Sequence, residues 1–184
     1  MVRSIALAVT LVALMLGGSA FCPAPAAAQT ERNDDFQWSA HAAGGFTLSP
    51  SAFLLTTGLE YQVAPELEFG PLLQFAFDND DFIFASTANV RYHFDLSNAN
   101  DQALRYLEPF IQGGLGLVHI DKDRRGRDRD DTEFMLNGGF GVDYWIDPRF
   151  SVGTAVLFNG MPAGQAAGER FFFSWQLLTA RFRF

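Results

Sequence analysis

The chain has 184 residues, which is enough for one domain of ordinary size. Its formal net charge of −8 and its pI of about 4.7 argue against nucleic acid as a partner. Mean hydropathy is +0.05, and beyond the N-terminal region no apolar run reaches the ~20 residues of a transmembrane helix. The chain still contains 20 phenylalanines and 17 glycines. Because transmembrane barrels hide their hydrophobicity in alternation, the order of the residues is more informative than their average.

The first 28 residues have the organisation of a secretory signal peptide. Arg3 precedes an apolar run from Ile5 to Leu16, and a run of alanines ends at Ala28. The alternative is a membrane-anchoring helix, for which the apolar run is too short. We therefore predict cleavage between Ala28 and Gln29, which leaves a short periplasmic segment over 29–35.

Beyond residue 35, eight segments alternate apolar and polar side chains with a period of two. This period is typical of β-strands that have one apolar face. Pro71 lies inside the third segment and indicates a bulge or a weak point in the ladder. In the last segment, Ser174 and Gln176 are out of phase with Phe182, which indicates a bulge that switches the faces. The predicted strands are Phe36–Leu48, Phe53–Val63, Glu66–Phe77, Phe82–Phe94, Leu107–Leu117, Glu133–Ile146, Phe150–Asn159 and Phe171–Phe184.

Polar or turn-forming residues connect these strands, and an even number of strands returns both termini to the same side. That side is expected to be periplasmic. The connections expected on the outer side are Ser49–Ser51, Asp78–Asp81, Asp121–Asp131 and Gly160–Gly168, and those on the periplasmic side are Ala64–Pro65, Asp95–Arg105 and Asp147–Arg149.

Alternation alone does not distinguish a transmembrane barrel from a soluble β-sandwich or a lipocalin-like barrel, which place apolar residues inside. Aromatic residues occur at both ends of the apolar faces, as expected where strands cross two lipid interfaces. The opposite faces carry Gly, Asn, Gln and charged residues, which suit a narrow polar lumen. We therefore predict an all-β fold, an eight-stranded antiparallel up-and-down transmembrane β-barrel over residues 36–184.

The last strand has a second feature that favours a barrel. In Ala180–Phe184, Phe182 and Phe184 share one face, and Arg181 and Arg183 share the other. A half-apolar strand at the end of the chain is stable when it pairs with the first strand and leaves no open edge.

The chain resembles the small bacterial outer-membrane β-barrels of the OmpA-like and OmpX-like family. The resemblance rests on Val90–Phe94 closing one strand, on Glu108–Gly116 opening the next, and on the terminal Phe184. It implies a location in the bacterial outer membrane, contact with outer-membrane lipid and lipopolysaccharide, and a monomeric protein. It also implies that Phe182 and Phe184 form the signal by which the barrel-assembly machinery recognises the last strand.

The polar faces place a layer of charged residues near the periplasmic end of the lumen. The interior of an eight-stranded barrel is only wide enough for side chains, and buried charges must be paired. We interpret the layer as a salt-bridged plug, and the alternative is a small gated proton or ion path. Its members are Glu60, Glu66, Glu68, Arg91, His93, Glu108, Asp143, Arg181 and Arg183.

The connection Asp121–Asp131 is the most distinctive exposed element, with five acidic and five basic residues. One interpretation is a solvated, mobile tip. The other is a contact with lipopolysaccharide phosphates or a host surface, because guanidinium groups pair with phosphate. The residues concerned are Asp121, Lys122, Arg124, Arg125, Arg127 and Arg129.

An outer-membrane enzyme acting on lipid A would need a positioned histidine and a hydroxyl at the outer interface. His41 shares a lumenal face with Ser39, His93 is predicted at the periplasmic end, and His119 has no serine on its face. We therefore expect no catalytic activity, and the sequence shows no spacing that predicts a metal or cofactor site. The function predicted from the sequence is a structural, adhesive or surface-interaction role for a closed barrel.

Overall fold

The computed structural model describes residues 37–48, 51–78, 81–96, 101, 104–124, 127–162 and 170–184. The predicted signal peptide and the segment over 29–35 lie outside these residues, as do Phe36 and Arg125.

Eight antiparallel strands form a closed barrel in chain order, and the first strand pairs with the last. The predicted fold is therefore confirmed. No helix in the described ranges is long and apolar enough to cross a membrane. A single 3₁₀ turn, Leu104–Tyr106, precedes the fifth strand. The strands are β1 Trp38–Leu48, β2 Ala52–Ala64, β3 Leu67–Phe77, β4 Asp81–His93, β5 Leu107–Arg124, β6 Arg127–Trp145, β7 Phe150–Gly160 and β8 Phe171–Arg183.

The apolar faces of the strands lie on the outside of the barrel. Phe69 is 49% exposed, and Leu115 and Phe140 are each 56% exposed. So many large apolar side chains around a closed sheet require hydrocarbon rather than water as their surroundings. The predicted orientation of the alternation, apolar outward, is confirmed.

The structure corrects one prediction at Pro71 and confirms another in β8. β3 keeps one register on both sides of Pro71, so the predicted bulge is wrong, whereas the pairing of β3 with β2 is interrupted at Gly70 and Pro71, as the alternative of a weak point predicts. Pro71 is exposed on the outer face. In β8, by contrast, Gly44 pairs with Leu178 whereas Gly45 pairs with Gln176, so Leu177 is an extra residue. The bulge switches the faces as predicted, because Leu177 and Leu178 are both exposed.

The side chain of Thr154 supports the bulge. Its hydroxyl donates to the Gln176 carbonyl at 2.8 Å, and the Trp175 indole N–H donates to the same hydroxyl at 3.1 Å. The carbonyl beside the extra residue therefore keeps a hydrogen-bond donor within the outer face.

The connection predicted over Asp121–Asp131 is largely strand. β5 continues through Arg124 and β6 begins at Arg127, which gives strands of 18 and 19 residues against 11 to 13 for the others. The charge-rich run has no apolar alternation, so its sequence gave no sign of a strand. Cross-strand pairing, continuous from Leu107–Tyr144 to Arg124–Arg127, extends the hairpin.

We call the end with Trp38 and Phe184 the lower rim, and the end with Ser51 and the β5–β6 hairpin the upper rim. Phe184 and Trp38 exchange two backbone hydrogen bonds, of 2.8 and 3.2 Å, which close the sheet at the lower rim. In outer-membrane barrels the short turns are periplasmic and the long connections extracellular. The long hairpin thus assigns the upper rim to the outside.

Candidate functional site: the barrel lumen

Arg181 is the central cation of a charged layer in the lower half of the lumen. Its side chain is fully buried, and Nη2 lies 3.0 Å from Glu60 Oε2. Nη1 lies 2.5 Å from Glu68 Oε2, and Nε lies 3.4 Å from Asp143 Oδ2. One guanidinium therefore faces carboxylates from three different strands, and it ties them across the lumen.

Arg91 and Arg183 flank this centre. Arg91 Nη2 lies 3.3 Å from Glu60 Oε1 and donates to Gln112 Oε1 at 2.8 Å. Arg183 Nη2 lies 3.1 Å from Glu108 Oε1, and its guanidinium lies 3.8 Å from the centre of the Trp145 ring. The Trp145 ring thus makes a cation–π contact with Arg183 and shields it from water at the lower rim.

His93 lies between two carboxylates. Its Nε2 is 3.1 Å from Glu68 and its Nδ1 is 2.6 Å from Glu108. An imidazolium ring satisfies both contacts, because each ring nitrogen then carries a proton. With that charge, three arginines and His93 balance the four carboxylates Glu60, Glu68, Glu108 and Asp143.

His41 and Ser39 both serve this layer and do not bond to each other in the described contacts. His41 Nδ1 lies 3.3 Å from Glu60, and the Ser39 hydroxyl lies 3.3 Å from the same carboxylate. Ser39 also accepts from Arg181 at 3.2 Å. The pair fills and satisfies the lumen, and its geometry is not that of a nucleophile beside its base.

Two glycines give the charged side chains room. A Cβ at Gly58 would overlap the His41 ring, and a Cβ at Gly153 would overlap the Asp143 carboxylate. Since both glycines point into the lumen, they allow large groups on the neighbouring strand to lie across the barrel.

Of the nine residues predicted for the charge layer, Glu66 is the exception. It lies in the turn between β2 and β3, half-buried, and no ion pair among the described residues includes its side chain. Its backbone carbonyl accepts from the His93 N–H at 2.8 Å. The period-two pattern extended one residue beyond the strand and so placed Glu66 in the lumen.

A layer of neutral polar groups lies above the charges. The Gln74 amide donates to Asn159 Oδ1 at 3.2 Å, and the Asn159 amide donates to the Ser174 hydroxyl at 2.9 Å. Ser174 in turn donates to Gln74 Oε1 at 3.3 Å, which closes a ring of three residues from three strands. Such a closed network fixes these side chains in the lumen.

Sequence reasoning missed a third layer, which is apolar and fills the upper half of the lumen. Its residues point inward although they are as apolar as those outside, and most are at least 95% buried. Inward-facing leucine, isoleucine and methionine do not stand out in a sequence whose outward faces are also apolar. The layer consists of Ala52, Leu54, Ala76, Ile83, Ala85, Val118, Ile120, Met135, Met161 and Phe172.

His119 lies on the outward side of β5 and has a hydroxyl partner that the sequence did not reveal. Its Nδ1 is 3.0 Å from Thr132 Oγ1 on the neighbouring strand. Among the described residues no cluster of histidine, cysteine, aspartate and glutamate could hold a metal ion.

The β5–β6 hairpin pairs residues of like charge in its backbone register. Asp121 pairs with Asp130 and Asp123 with Asp128, whereas Lys122 pairs with Arg129 and Arg124 with Arg127. The remaining acid of the segment, Asp131, pairs with Ile120. The side chains of Lys122, Arg124, Arg127 and Arg129, which were predicted as a surface contact, lie outside the described residues.

Known structures share this fold at low sequence identity. The N-terminal barrel domain of OprF from Pseudomonas aeruginosa superposes with a TM-score of 0.63 at 16% identity, and the match covers 80% of this chain and 96% of that one. Neisserial surface protein A matches with a TM-score of 0.63 at 19% identity and the same coverage. The attachment invasion locus protein Ail of Yersinia pestis matches with a TM-score of 0.50 at 16% identity, covering 80% and 96% of the two chains.

No protein-family model matches the sequence, and no curated protein matches it by sequence comparison. The likeness is thus one of fold. With the closed sheet, the outward apolar belt and the filled lumen, it identifies the chain as an eight-stranded β-barrel of the bacterial outer-membrane type.

Proposed function

We propose that the protein is a closed, non-conducting barrel that anchors the β5–β6 hairpin at the outer surface, in a structural or surface-interaction role. The observation that supports this proposal is that side chains fill the lumen along its length. A charged layer, a polar layer and an apolar layer follow one another from the lower to the upper rim. Each layer contains side chains from several strands, so none depends on a single loop.

The filling opposes a role as a channel for two separate physical reasons. Ions that enter the charged layer would have to displace paired groups that lie 2.5 to 3.4 Å apart around Arg181. Above it, the apolar layer replaces most of the polar surface that an ion would need in exchange for its water, and Val118 and Met135 are fully buried there. Glu133, paired with Val118, and the fully buried Thr47 are polar side chains at the same level. The apolar packing around them opposes a gated path.

The hairpin supports the surface-interaction part of the proposal. Like charges directly opposite each other destabilise a strand pair, so the hairpin gains stability when counter-charges bind beside it. Phosphate groups such as those of lipopolysaccharide are suitable counter-charges, because arginine pairs with phosphate through two hydrogen bonds. The total charge of the segment 121–131 is balanced, and the register places like charges opposite each other.

Planar-bilayer recording tests the closed lumen. We expect no steady conductance from the refolded wild-type barrel across repeated insertions, with insertion verified by heat-modifiable migration on a detergent gel. A steady, reproducible conductance from such preparations would contradict the closed barrel.

A charge-conserving exchange tests the hairpin. Asp128→Arg with Arg129→Asp keeps the net charge but places an opposite charge across from Asp123 and from Lys122. We expect the exchange to weaken salt-dependent binding of the barrel to immobilised lipopolysaccharide. Equal binding by the wild type and the exchange variant at low and high salt would refute a role for the like-charge pairs.

A further inference from the structure

A groove of about 690 Å³ runs along the outside of the barrel near the upper rim. Gly44 and Gly45 form its floor, and apolar side chains of four neighbouring strands form its walls. It is a shallow depression that is open toward the surroundings of the barrel. The main wall residues are Phe46, Phe53, Phe77, Leu177 and Leu178.

The groove arises from two local features of the chain. The bulge in β8 turns Leu177 and Leu178 outward together, 50% and 64% exposed, so they form a raised wall. Gly44, paired with Leu178, has no side chain, and a Cβ built there would meet no atom within 4 Å. A raised wall beside a missing side chain leaves a depression in an otherwise regular apolar belt.

We propose that this groove binds one acyl chain of lipid A from the outer leaflet. The inference rests on the outer-membrane placement in the proposed function. The groove is continuous with the apolar belt that contacts hydrocarbon, so the molecules that reach it are lipid chains. Its position at the upper rim selects the outer leaflet, whose lipid is lipid A.

Packing supplies the affinity. Lipid tails are as apolar as leucine, so a chain gains nothing from leaving water when it moves from bulk lipid to the barrel. It gains close contacts with the phenylalanine and leucine walls and with the glycine backbone, each small and together substantial. At the upper end of the groove, Ser51 and Asp78 mark the change from apolar wall to polar headgroup level.

Gly44→Leu is the direct test, because a leucine at this position fills the floor of the groove. The backbone at Gly44 does not have a positive φ, so a larger residue is compatible with the strand. The matched control is Gly138→Leu. Gly138 is an outward glycine of β6 with similar room, its nearest neighbour being the Gln112 carbonyl at 3.9 Å, and it does not line the groove.

Native mass spectrometry then counts the lipid retained by each barrel after incubation with purified lipid A in micelles. We expect one retained lipid A on the wild type and on Gly138→Leu, and at least a tenfold smaller retained fraction on Gly44→Leu. Equal retention by all three proteins, or none by the wild type, would overturn the site. Folding of each variant is checked by heat-modifiable migration, and Gly44→Ala provides a milder second variant.

A parallel incubation with phosphatidylethanolamine distinguishes the source of the chain. If the wild type retains more lipid A than phosphatidylethanolamine, the result supports the proposal. If it retains as much or more phosphatidylethanolamine, and Gly44→Leu abolishes that retention, lipid A is refuted as the occupant. The outcome is independent of the conductance test. If the wild type conducts but retains lipid A, and Gly44→Leu no longer retains it, the closed lumen is refuted and the lipid site in the groove is still supported.

Discussion

Replacing Arg181 with alanine should be among the most destabilising single changes in the lumen. The residue is 1% exposed, and its guanidinium lies within 3.4 Å of three carboxylates. Its removal leaves these acids with Arg91 and His93 as the nearest cations. In addition, the Ser39 hydroxyl loses a donor at 3.2 Å.

The magnitude follows from burial and the number of partners. Removing one member of a buried ion pair typically costs about 3–5 kcal/mol, and the three partners of Arg181 place Arg181→Ala at about 5 kcal/mol. Arg183 keeps a side chain that is 10% exposed, beside a Glu108 side chain that is 13% exposed. That pair is slightly open to water and has fewer carboxylate contacts, so Arg183→Ala should cost less than Arg181→Ala, about 3 kcal/mol. Leu136→Ala, on the lipid-facing side, should cost about 1 kcal/mol or less because lipid fills the space that a buried cavity would leave empty.

Urea titration of the barrel in lipid vesicles, followed by tryptophan fluorescence, measures the free energies of unfolding. The expected order of destabilisation is Arg181→Ala, then Arg183→Ala, then Leu136→Ala. A double-mutant cycle with Glu68→Gln isolates the pair, and a coupling energy of about 1 kcal/mol or more is expected for groups in direct contact. If Arg181→Ala costs no more than Leu136→Ala, the charged layer is not a paired, buried network and the reasoning fails.

Three other changes test separate parts of the structure. Deleting Phe184 should lower the amount of barrel in the outer membrane, because the residue closes the sheet at the lower rim; unchanged levels in fractionated membranes would contradict this. Gly58→Val should destabilise the barrel by about 1–3 kcal/mol, since the new side chain overlaps the His41 ring, and an unchanged urea midpoint would refute the steric role. Thr154→Val should cost about 1 kcal/mol by removing the donor to the Gln176 carbonyl at the bulge, whereas equal stability would show that the bulge does not need it.

The outward faces and the number of strands could be predicted because apolar and polar residues alternate regularly along each strand. Tyr61, Phe69 and Tyr92 each lie on the apolar face of a different strand, with polar residues on the opposite face. This alternation fixes both the strand and the direction in which its apolar face points. The bulge in β8 was predictable for the same reason, because Ser174 and Gln176 could not share a face with Phe182 in an unbroken strand.

Two features could not be read in this way. The hairpin extension is formed by register rather than by apolar alternation, and its charges hide the period that a strand would show. The apolar upper lumen was missed because Leu54, Ile83 and Met135 are apolar residues on faces assigned as polar, and a sequence does not show which side of a curved sheet is concave. Interior polarity thus changes along the barrel while the outside stays uniform.

The two kinds of filling place two barriers to ions in series, and this has a consequence for channel formation. Arg181→Ala opens space only in the charged layer, whereas the apolar layer around Leu54 and Met135 contains none of its ion-pair partners. We therefore expect Arg181→Ala alone to stay closed in planar bilayers, even though it is strongly destabilised. Met135→Ser places a hydroxyl in the apolar layer but leaves the charged layer paired, so it should stay closed as well. Single channels should appear only when both changes are combined. Channels from Arg181→Ala alone would show that the charged layer is the sole barrier and that the apolar layer does not seal the upper lumen.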